Sequence, residues 1–335
     1  MVRIAVLGCG RIGRMHAHNI HQHPDTALAA VFDMVPEAAG AAASGTGARV
    51  LASADAVFAD PEVDAVLIAT ATETHADFIE RAVAAGKAVL CEKPIDLSLA
   101  RVNACRDRIK GAGVPIQLGF NRRFDPGHRA ARDAARSGQI GDLHQVIITS
   151  RDPGMPPRSY YEAAGGLLRD MTIHDFDLAR FMLGAEPVEV TAIAGRLIDP
   201  QLMNELDDYD TAMIIMRTAD GVQCHINNSR AATYGYDQRV ELLGTRGMAM
   251  SDNRKPHEMR TYSKDNAEIS APYQFFFIER YTEAFMAEIG AFAASVREGT
   301  PPEVGFEDGR RALILAEAAY KSIAEGRTVK VEEIA

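Results

Sequence analysis

Val2-Arg3-Ile4-Ala5-Val6-Leu7-Gly8-Cys9-Gly10-Arg11-Ile12-Gly13 is the stretch on which the reading of the fold turns. Its first half is a short apolar run, the pattern of a strand covered on both faces. Its second half is Gly-x-Gly-x-x-Gly, and apolar residues at helical spacing follow from Ile12 to His21. Such glycine patterns arise by chance, so position carries their meaning. Here the turn follows a strand and opens a helix, and Asp33 stands 20 residues beyond Gly13 at the end of the next apolar run. That context is the dinucleotide-binding fingerprint. Gly8 permits the tight turn, Gly10 lets backbone approach a pyrophosphate, and Gly13 lets helix pack on strand. Arg11 and Ile12 begin a helix whose N-terminal N–H groups suit phosphate. Asp33 can accept hydrogen bonds from both ribose hydroxyls and repels a 2′-phosphate. Met34 follows it with no arginine adjacent, so NAD is expected rather than NADP. A competing role for Asp33 is to cap the helix starting near Pro36.

Outward from this unit the same rhythm continues. Leu28–Phe32, Ala65–Ala69, Ala88–Cys91 and Pro115–Leu118 read as strands, with helical spacing at Pro36–Ala43, Thr74–Ala85 and Ser98–Lys110. Residues 1–120 are therefore expected to form an NAD-binding Rossmann domain, an α/β doubly wound parallel sheet. After a helix at Asp125–Arg136 come a strand (Leu143–Ser150), a loop (Arg151–Gly166) and a helix (Leu167–Leu183). The segments Val188–Leu197, Ala212–Thr218, Val222–Asn228, Gln238–Leu243 and Met248–Asp252 then read as consecutive strands. Turn signals between them predict an open, largely antiparallel sheet. Residues 121–335 are expected to form an α+β substrate-binding and oligomerisation domain. The last helix, about residues 309–325, is expected to pack back on the first domain.

The chain has 335 residues and a net charge of −10, with 36 basic against 46 acidic side chains. That balance argues against a nucleic-acid partner. No apolar run is long enough to span a membrane, and the N-terminus has no room for a secretory signal. Cys9, Cys91, Cys105 and Cys224 show no paired or zinc spacing, which suits the reducing cytoplasm.

Two segments end strands at the carboxyl edge, where ligands bind in such sheets. Thr70, Thr72 and His75 lie on one and are candidates for the nicotinamide ribose, with helix capping the competing role for Thr72 or Thr74. Glu92-Lys93-Pro94 lies on the other and sets a lysine at the mouth of a strand. In the later domain, Gly165 to Asp177 is the most informative stretch. On a helix Asp170, His174 and Asp177 share one face, leaving Asp175 to meet solvent or a helix neighbour. Carboxylates flanking an imidazole favour a general base working near neutral pH. His174 would take the hydroxyl proton, Asp170 would orient it, and Lys93 would steady the developing alkoxide. No metal is expected, since no second ligand cluster has suitable spacing. His16, His18, His21 and His23 read as the polar end of the first helix.

With these residues in view, the chain resembles the glucose-fructose oxidoreductase/inositol dehydrogenase (Gfo/Idh/MocA) family over essentially its whole length. The matching stretches are Gly8–Gly13, Asp33, Thr70–His75, Glu92–Pro94, Gly119–Asp125 and Gly165–Asp177. The family's catalytic lysine, aspartate and histidine fall on Lys93, Asp170 and His174. Asp170 to Phe181 and Tyr234 to Asp237 are similar to inositol 2-dehydrogenases in particular. The likeness implies that Arg123, Asp177 and Tyr236 contact cyclitol hydroxyls. Where some inositol dehydrogenases carry His and Asn, this chain has Ser150-Arg151-Asp152-Pro153, and Asp152 can still bind hydroxyls. The resemblance implies NAD-dependent oxidation of myo-inositol to its 2-keto form, in inositol catabolism, by a homotetramer joined through the open sheet. The rival readings are a pyranose or anhydrosugar dehydrogenase, an NAD-retaining glycosidase and a catalytically silent sensor.

Overall fold

The structure is a computed structural model and describes residues 1–334. It divides into two compact units, residues 1–124 with 283–313, and residues 125–282 with the chain from Ile314 onward.

The first unit is built on strands β1 (Val2–Leu7), β2 (Thr26–Phe32), β3 (Arg49–Val50), β4 (Ala65–Ile68), β5 (Ala88–Cys91) and β6 (Ile116–Leu118). They form one parallel sheet in the order β3-β2-β1-β4-β5-β6. This is the expected doubly wound order, and the strand order reverses between β1 and β4. Helices α1 (Arg11–Gln22), α2 (Pro36–Ala43), α3 (Ala54–Ala59), α4 (His75–Ala84) and α5 (Leu99–Ile109) lie between the strands. The strands are buried along nearly their whole length, which is why they read as unbroken apolar runs. Ser53 and Ser98 cap α3 and α5, each accepting a backbone N–H in the first turn.

In the second unit α6 (Pro126–Arg136), β7 (Leu143–Arg151), α7 (Arg158–Ala164), α8 (Leu167–Asp170) and α9 (Thr172–Leu183) come first. Then follow β8 (Pro187–Gly195), α10 (Pro200–Glu205), β9 (Thr211–Thr218), β10 (Gln223–Ser229), β11 (Asp237–Gly244) and β12 (Gly247–Ser251). A two-strand ribbon, β13 (Arg260–Thr261) with β14 (Ile269–Ser270), precedes α11 (Phe277–Arg280). Of the last elements, α12 (Thr282–Glu298) belongs but for Thr282 to the first unit, α13 (Phe306–Glu325) is shared between the units at Leu313 and Ile314, and β15 (Val329–Lys330) lies in the second. The second sheet runs β12-β11-β7-β10-β9-β8-β15 and is antiparallel except where β10 pairs with β7.

One face of this sheet is covered by α9, which packs on β7 and β10. Along β9, Ala212, Ile214 and Met216 point into that core while Met213 and Ile215 are exposed. Period-two alternation is the mark of a sheet with one covered face, and it made these strands readable. The expected single helix over 167–183 is interrupted at Met171, whose backbone stays in the right-handed region and ends α8 as α9 begins.

Helix α12 supplies Ile289, Phe292 and Ala293 to the core under β1, β2, β4 and β5. Burial of each large apolar side chain is worth roughly 1.5–3 kcal/mol, enough together to fix the register of the helix. That register also carries Glu288 inside, where it is fully buried.

Candidate functional site

The turn after β1 separates its glycines by what surrounds them. A Cβ on Gly8 (φ +87°) would lie 2.5 Å from the Ala69 carbonyl oxygen, and one on Gly13 would lie 1.8 Å from the Gly8 carbonyl oxygen. The protein's own packing therefore demands both. A Cβ on Gly10 would meet nothing within 4 Å. Gly10 stands at the N-cap of α1, where no side chain caps the helix and no acidic residue lies in the first turn. Open space beside an uncapped, positively polarised helix end fits a diphosphate. Arg11 and Ile12 follow, exposed and half-buried respectively.

Asp33 closes the same turn from β2. One carboxylate oxygen accepts the Cys9 N–H at 2.6 Å and the other accepts the Val35 N–H at 2.8 Å. It does not cap α2, whose N-cap is Val35. Each oxygen retains a lone pair for a ribose hydroxyl. Met34 is almost fully exposed beside it.

The segments after β4 and β5 are tied to each other. His75, buried at the start of α4, sets Nδ1 2.8 Å from the Pro94 carbonyl oxygen and Nε2 3.1 Å from the Thr70 carbonyl oxygen. Burial pulls its pKa below the usual imidazole value. The Thr70 and Thr74 hydroxyls lie 2.6 Å apart, and Thr74 donates to the Ala71 carbonyl. Thr74 stands at the N-cap of α4, but its hydroxyl accepts no helix N–H and donates to the Ala71 carbonyl instead, and Thr72 caps nothing, since the short turn over 72–74 begins at Ala71. Lys93 sits at the mouth of β5, joined to Pro94 by a cis peptide bond.

Beneath Lys93 lies a polar cluster that the sequence reading missed. His16, placed by that reading at a polar helix end, is buried, with Nε2 2.7 Å from Glu92 Oε1. The apolar face of α1 turns it inward, where its ring meets Phe285 edge-on. Burial alone would raise the Glu92 pKa, but the bond to His16, with His16 and Lys93 charge, holds it below the usual carboxylate value. Glu288 is different. Neither of its carboxyl oxygens has a hydrogen-bond partner among the described residues. Burial, with the Glu92 charge added, pushes its pKa well above the ordinary range, so it is held neutral. The side-chain amide of Gln117 donates to the Glu288 backbone carbonyl at 3.1 Å.

In the same unit Arg123 is buried, donating to Asp308 Oδ1 at 2.9 Å and toward the Glu303 carbonyl at 3.4 Å.

In the second unit the end of α8 and the ends of β7 and β10 converge on carboxylates. Asp170 accepts from the Tyr160 hydroxyl at 2.9 Å and from Arg230 Nη2 at 2.8 Å. Asp152, just past β7, accepts from Arg230 Nη1 at 3.0 Å. Arg230 is only 3% exposed and its guanidinium lies over the Tyr161 ring at 5.4 Å. Burial opposes its charge, yet Asp170 and Asp152 raise its pKa above the ordinary guanidinium value. Neither Arg230 nor Tyr160 was picked out from sequence. The usable signal was an arginine ending a strand after the polar run Asn227-Asn228-Ser229.

His174 is half-buried on the first turn of α9. Asp177 is buried with Arg180 Nη1 at 3.6 Å. Asp175 corrects the expectation that it meets solvent or a helix neighbour. It is fully buried and accepts from Asn228 Nδ2 at 2.9 Å, because α9 lays that side on β10. Asn228 also takes the Thr172 hydroxyl at 2.8 Å, so one amide fixes α9 to the sheet. Tyr236 is buried with its ring edge-on to Tyr281. The structure thus gathers Asp152 and Asp170 on one arginine, and the glycine turn with Asp33. Among the described residues no cluster of His, Cys, Asp and Glu could hold a metal ion.

Comparison with known proteins gives a consistent picture. Residues 2–120 match the model of an oxidoreductase family with an NAD-binding Rossmann fold, and residues 128–250 match the GFO/IDH/MocA C-terminal domain. Inositol 2-dehydrogenase of Rhizobium meliloti (strain 1021) is 47% identical over 330 residues, covering 98% of this chain and 99% of that protein. A crystal structure described as a putative myo-inositol dehydrogenase from Sinorhizobium meliloti 1021 superposes with a TM-score of 0.96 at 46% identity, covering 99% and 100% of the two chains. Scyllo-inositol dehydrogenase from Lactobacillus casei, solved with NAD(H) and scyllo-inositol bound, superposes with a TM-score of 0.91 at 30% identity, covering 99% of each chain.

Proposed function

The chain belongs to the Gfo/Idh/MocA oxidoreductase family, and we propose that it oxidises a secondary hydroxyl of a cyclitol with NAD, myo-inositol to 2-keto-myo-inositol being the favoured reaction. The observation that carries this reading is the pairing of the Gly8–Gly13 turn and Asp33 with the Lys93, Asp170 and His174 set. The inositol dehydrogenases that resemble the chain over its full length support it. The pyranose, glycosidase and sensor readings have no comparable support.

NAD, when bound, supplies the hydride acceptor. Gly10 and the N-terminus of α1 would hold its diphosphate, with Arg11 and Ile12 alongside. Asp33, next to Met34, would hold the adenosine ribose, and Thr70, Thr72, His75 and Glu92 would line the nicotinamide side. His174 accepts the hydroxyl proton at its imidazole, and Asp170 stabilises the imidazolium that results. Lys93 donates a hydrogen bond to the oxygen as negative charge develops there. Arg123, Asp152, Asp177 and Tyr236 bind the remaining hydroxyls. Carboxylates and a phenol suit a polyol, whose hydroxyls both donate and accept.

We assign residues 1–120 to cofactor binding and 121–335 to substrate binding and assembly. A homotetramer formed over the open sheet face fits the exposed Ile193, Met213, Ile215, Met248 and Met250. A cytoplasmic enzyme of inositol catabolism fits the four free, buried cysteines. No helix among the described residues is long and apolar enough to cross a membrane.

Formation of NADH across a panel of inositol isomers and aldoses tests the reading. Turnover with myo-inositol well above that with any aldose is expected, and an aldose preference overturns it.

A further inference from the structure

We infer that Arg230 is a positioning residue for this reaction, fixing Asp170, which supports the base, and Asp152, which binds a hydroxyl, in one geometry through the two arms of a single guanidinium. The inference rests on the roles given above to Asp170 and Asp152. The two carboxylates come from different elements, the end of α8 and the residue after β7, and nothing in their local sequence aligns them. Arg230 Nη2 reaches Asp170 Oδ2 at 2.8 Å and Nη1 reaches Asp152 Oδ2 at 3.0 Å.

The arginine is itself held. Its backbone N–H donates to the Asp210 carbonyl at 2.9 Å, and on either side Asp152 N–H meets the Ser229 carbonyl at 2.9 Å and Ala232 N–H meets the Asp152 carbonyl at 2.7 Å. The backbone of Asp152 is thus locked to the residues flanking Arg230, while the side chain spans from there to α8. The charged and titratable groups around the guanidinium are Asp152 beyond β7, Tyr160 and Tyr161 on α7, and Asp170 on α8. The nearby carboxylates of Asp208 and Asp210 are engaged elsewhere, Asp208 by the Leu167 N–H and Asp210 by the N–H groups of Leu197, Ile198 and Asp199. A rigid planar fork can serve two carboxylates at once, whereas an ammonium is one compact charge on a flexible stem.

Two substitutions separate positioning from structural support. Arg230→Lys keeps the charge but loses the fork. Its KM for myo-inositol should rise about tenfold, the scale of one lost charge-assisted hydrogen bond. The acid limb of its kcat/KM profile should stay in place. Arg230→Met removes the cation, which raises the proton affinity of the neighbouring acid and imidazole alike. Its acid limb should move to higher pH and kcat should fall about a hundredfold. NAD affinity, followed by calorimetric titration, should be unchanged in both, because the glycine turn belongs to the other unit.

An Arg230→Lys enzyme with wild-type KM and kcat overturns the inference. So does a folded Arg230→Met enzyme whose acid limb has not moved. Should Arg230→Met fail to fold, the lysine variant alone decides. Wild-type protein that turns over no cyclitol instead removes the functional reading, and this inference with it. Cyclitol turnover with an indifferent lysine variant removes the inference alone.

Discussion

Replacing Glu288 by glutamine should stabilise the protein, and by an amount that grows with pH. The side chain is fully buried on α12, neither carboxyl oxygen is hydrogen-bonded among the described residues, and burial with the nearby Glu92 charge keeps it protonated. In the unfolded chain the same group ionises in the ordinary carboxylate range. Its folded pKa is therefore the higher one. The stability it contributes is fully present below the unfolded pKa and drains away as pH rises toward the folded pKa. One proton of difference corresponds to about 1.4 kcal/mol per pH unit. Glutamine, of nearly the same shape, does not titrate and escapes that loss. The two proteins should match near pH 4 to within about 0.5 kcal/mol, and over the next pH units the variant's lead should grow by up to about 1.4 kcal/mol per unit until the folded carboxyl ionises. Urea titrations followed by circular dichroism, at fixed ionic strength and with slopes compared, measure this directly. A stability difference that stays flat across this range would show that Glu288 is ionised in the folded protein, and the description of the cluster beneath Lys93 would be wrong.

Other tests address the proposed site. Gly13→Ala should cost about 3 kcal/mol or force the turn to shift, since its Cβ would sit 1.8 Å from the Gly8 carbonyl oxygen. Gly10→Ala, which meets nothing, should leave the melting temperature within a degree or two and yet weaken NAD binding, and a calorimetric NAD titration beside a melting curve distinguishes the two. His174→Ala should lower kcat by about 10²–10⁴-fold with NAD affinity intact, and near-wild-type kcat would remove it as the base. Asn228→Ala, which frees both Asp175 and the Thr172 hydroxyl, should cost about 2–4 kcal/mol by chemical denaturation.

The parts of this protein that sequence exposes are those whose cause is local. The turn at Gly8–Gly13 was readable because its glycines recur at a fixed short spacing, Gly13 answering to the Gly8 carbonyl within the turn itself, and β9 because alternation records which face is covered. Strand β3, two residues long, and α3, six residues long, escaped because neither is long enough to show a period. The site was legible in its chemistry and illegible in its wiring. Asp170 and Asp152 stand out as carboxylates, but Arg230 lies 60 and 78 residues from them, so only the fold discloses the bridge. Asp175 misled for the same reason. Helical spacing says which residues share a face and is silent on what that face meets, and α9 is buried on several sides. His16 and Glu288 sit on helices whose apolar partners dictate the rotation, so the polar residue goes where its neighbours take it.

The placement of His75 has a mechanical consequence. Both of its ring nitrogens face carbonyl oxygens, one on each of the two segments that follow β4 and β5. Burial favours the uncharged ring, which owns a single N–H. That hydrogen can latch one segment or the other, never both together. The unlatched carbonyl then confronts a lone pair and is pushed rather than held. The tautomer therefore decides which strand end is held, the one that carries Thr70 or the one that carries Lys93, and a leucine at position 75 would hold neither.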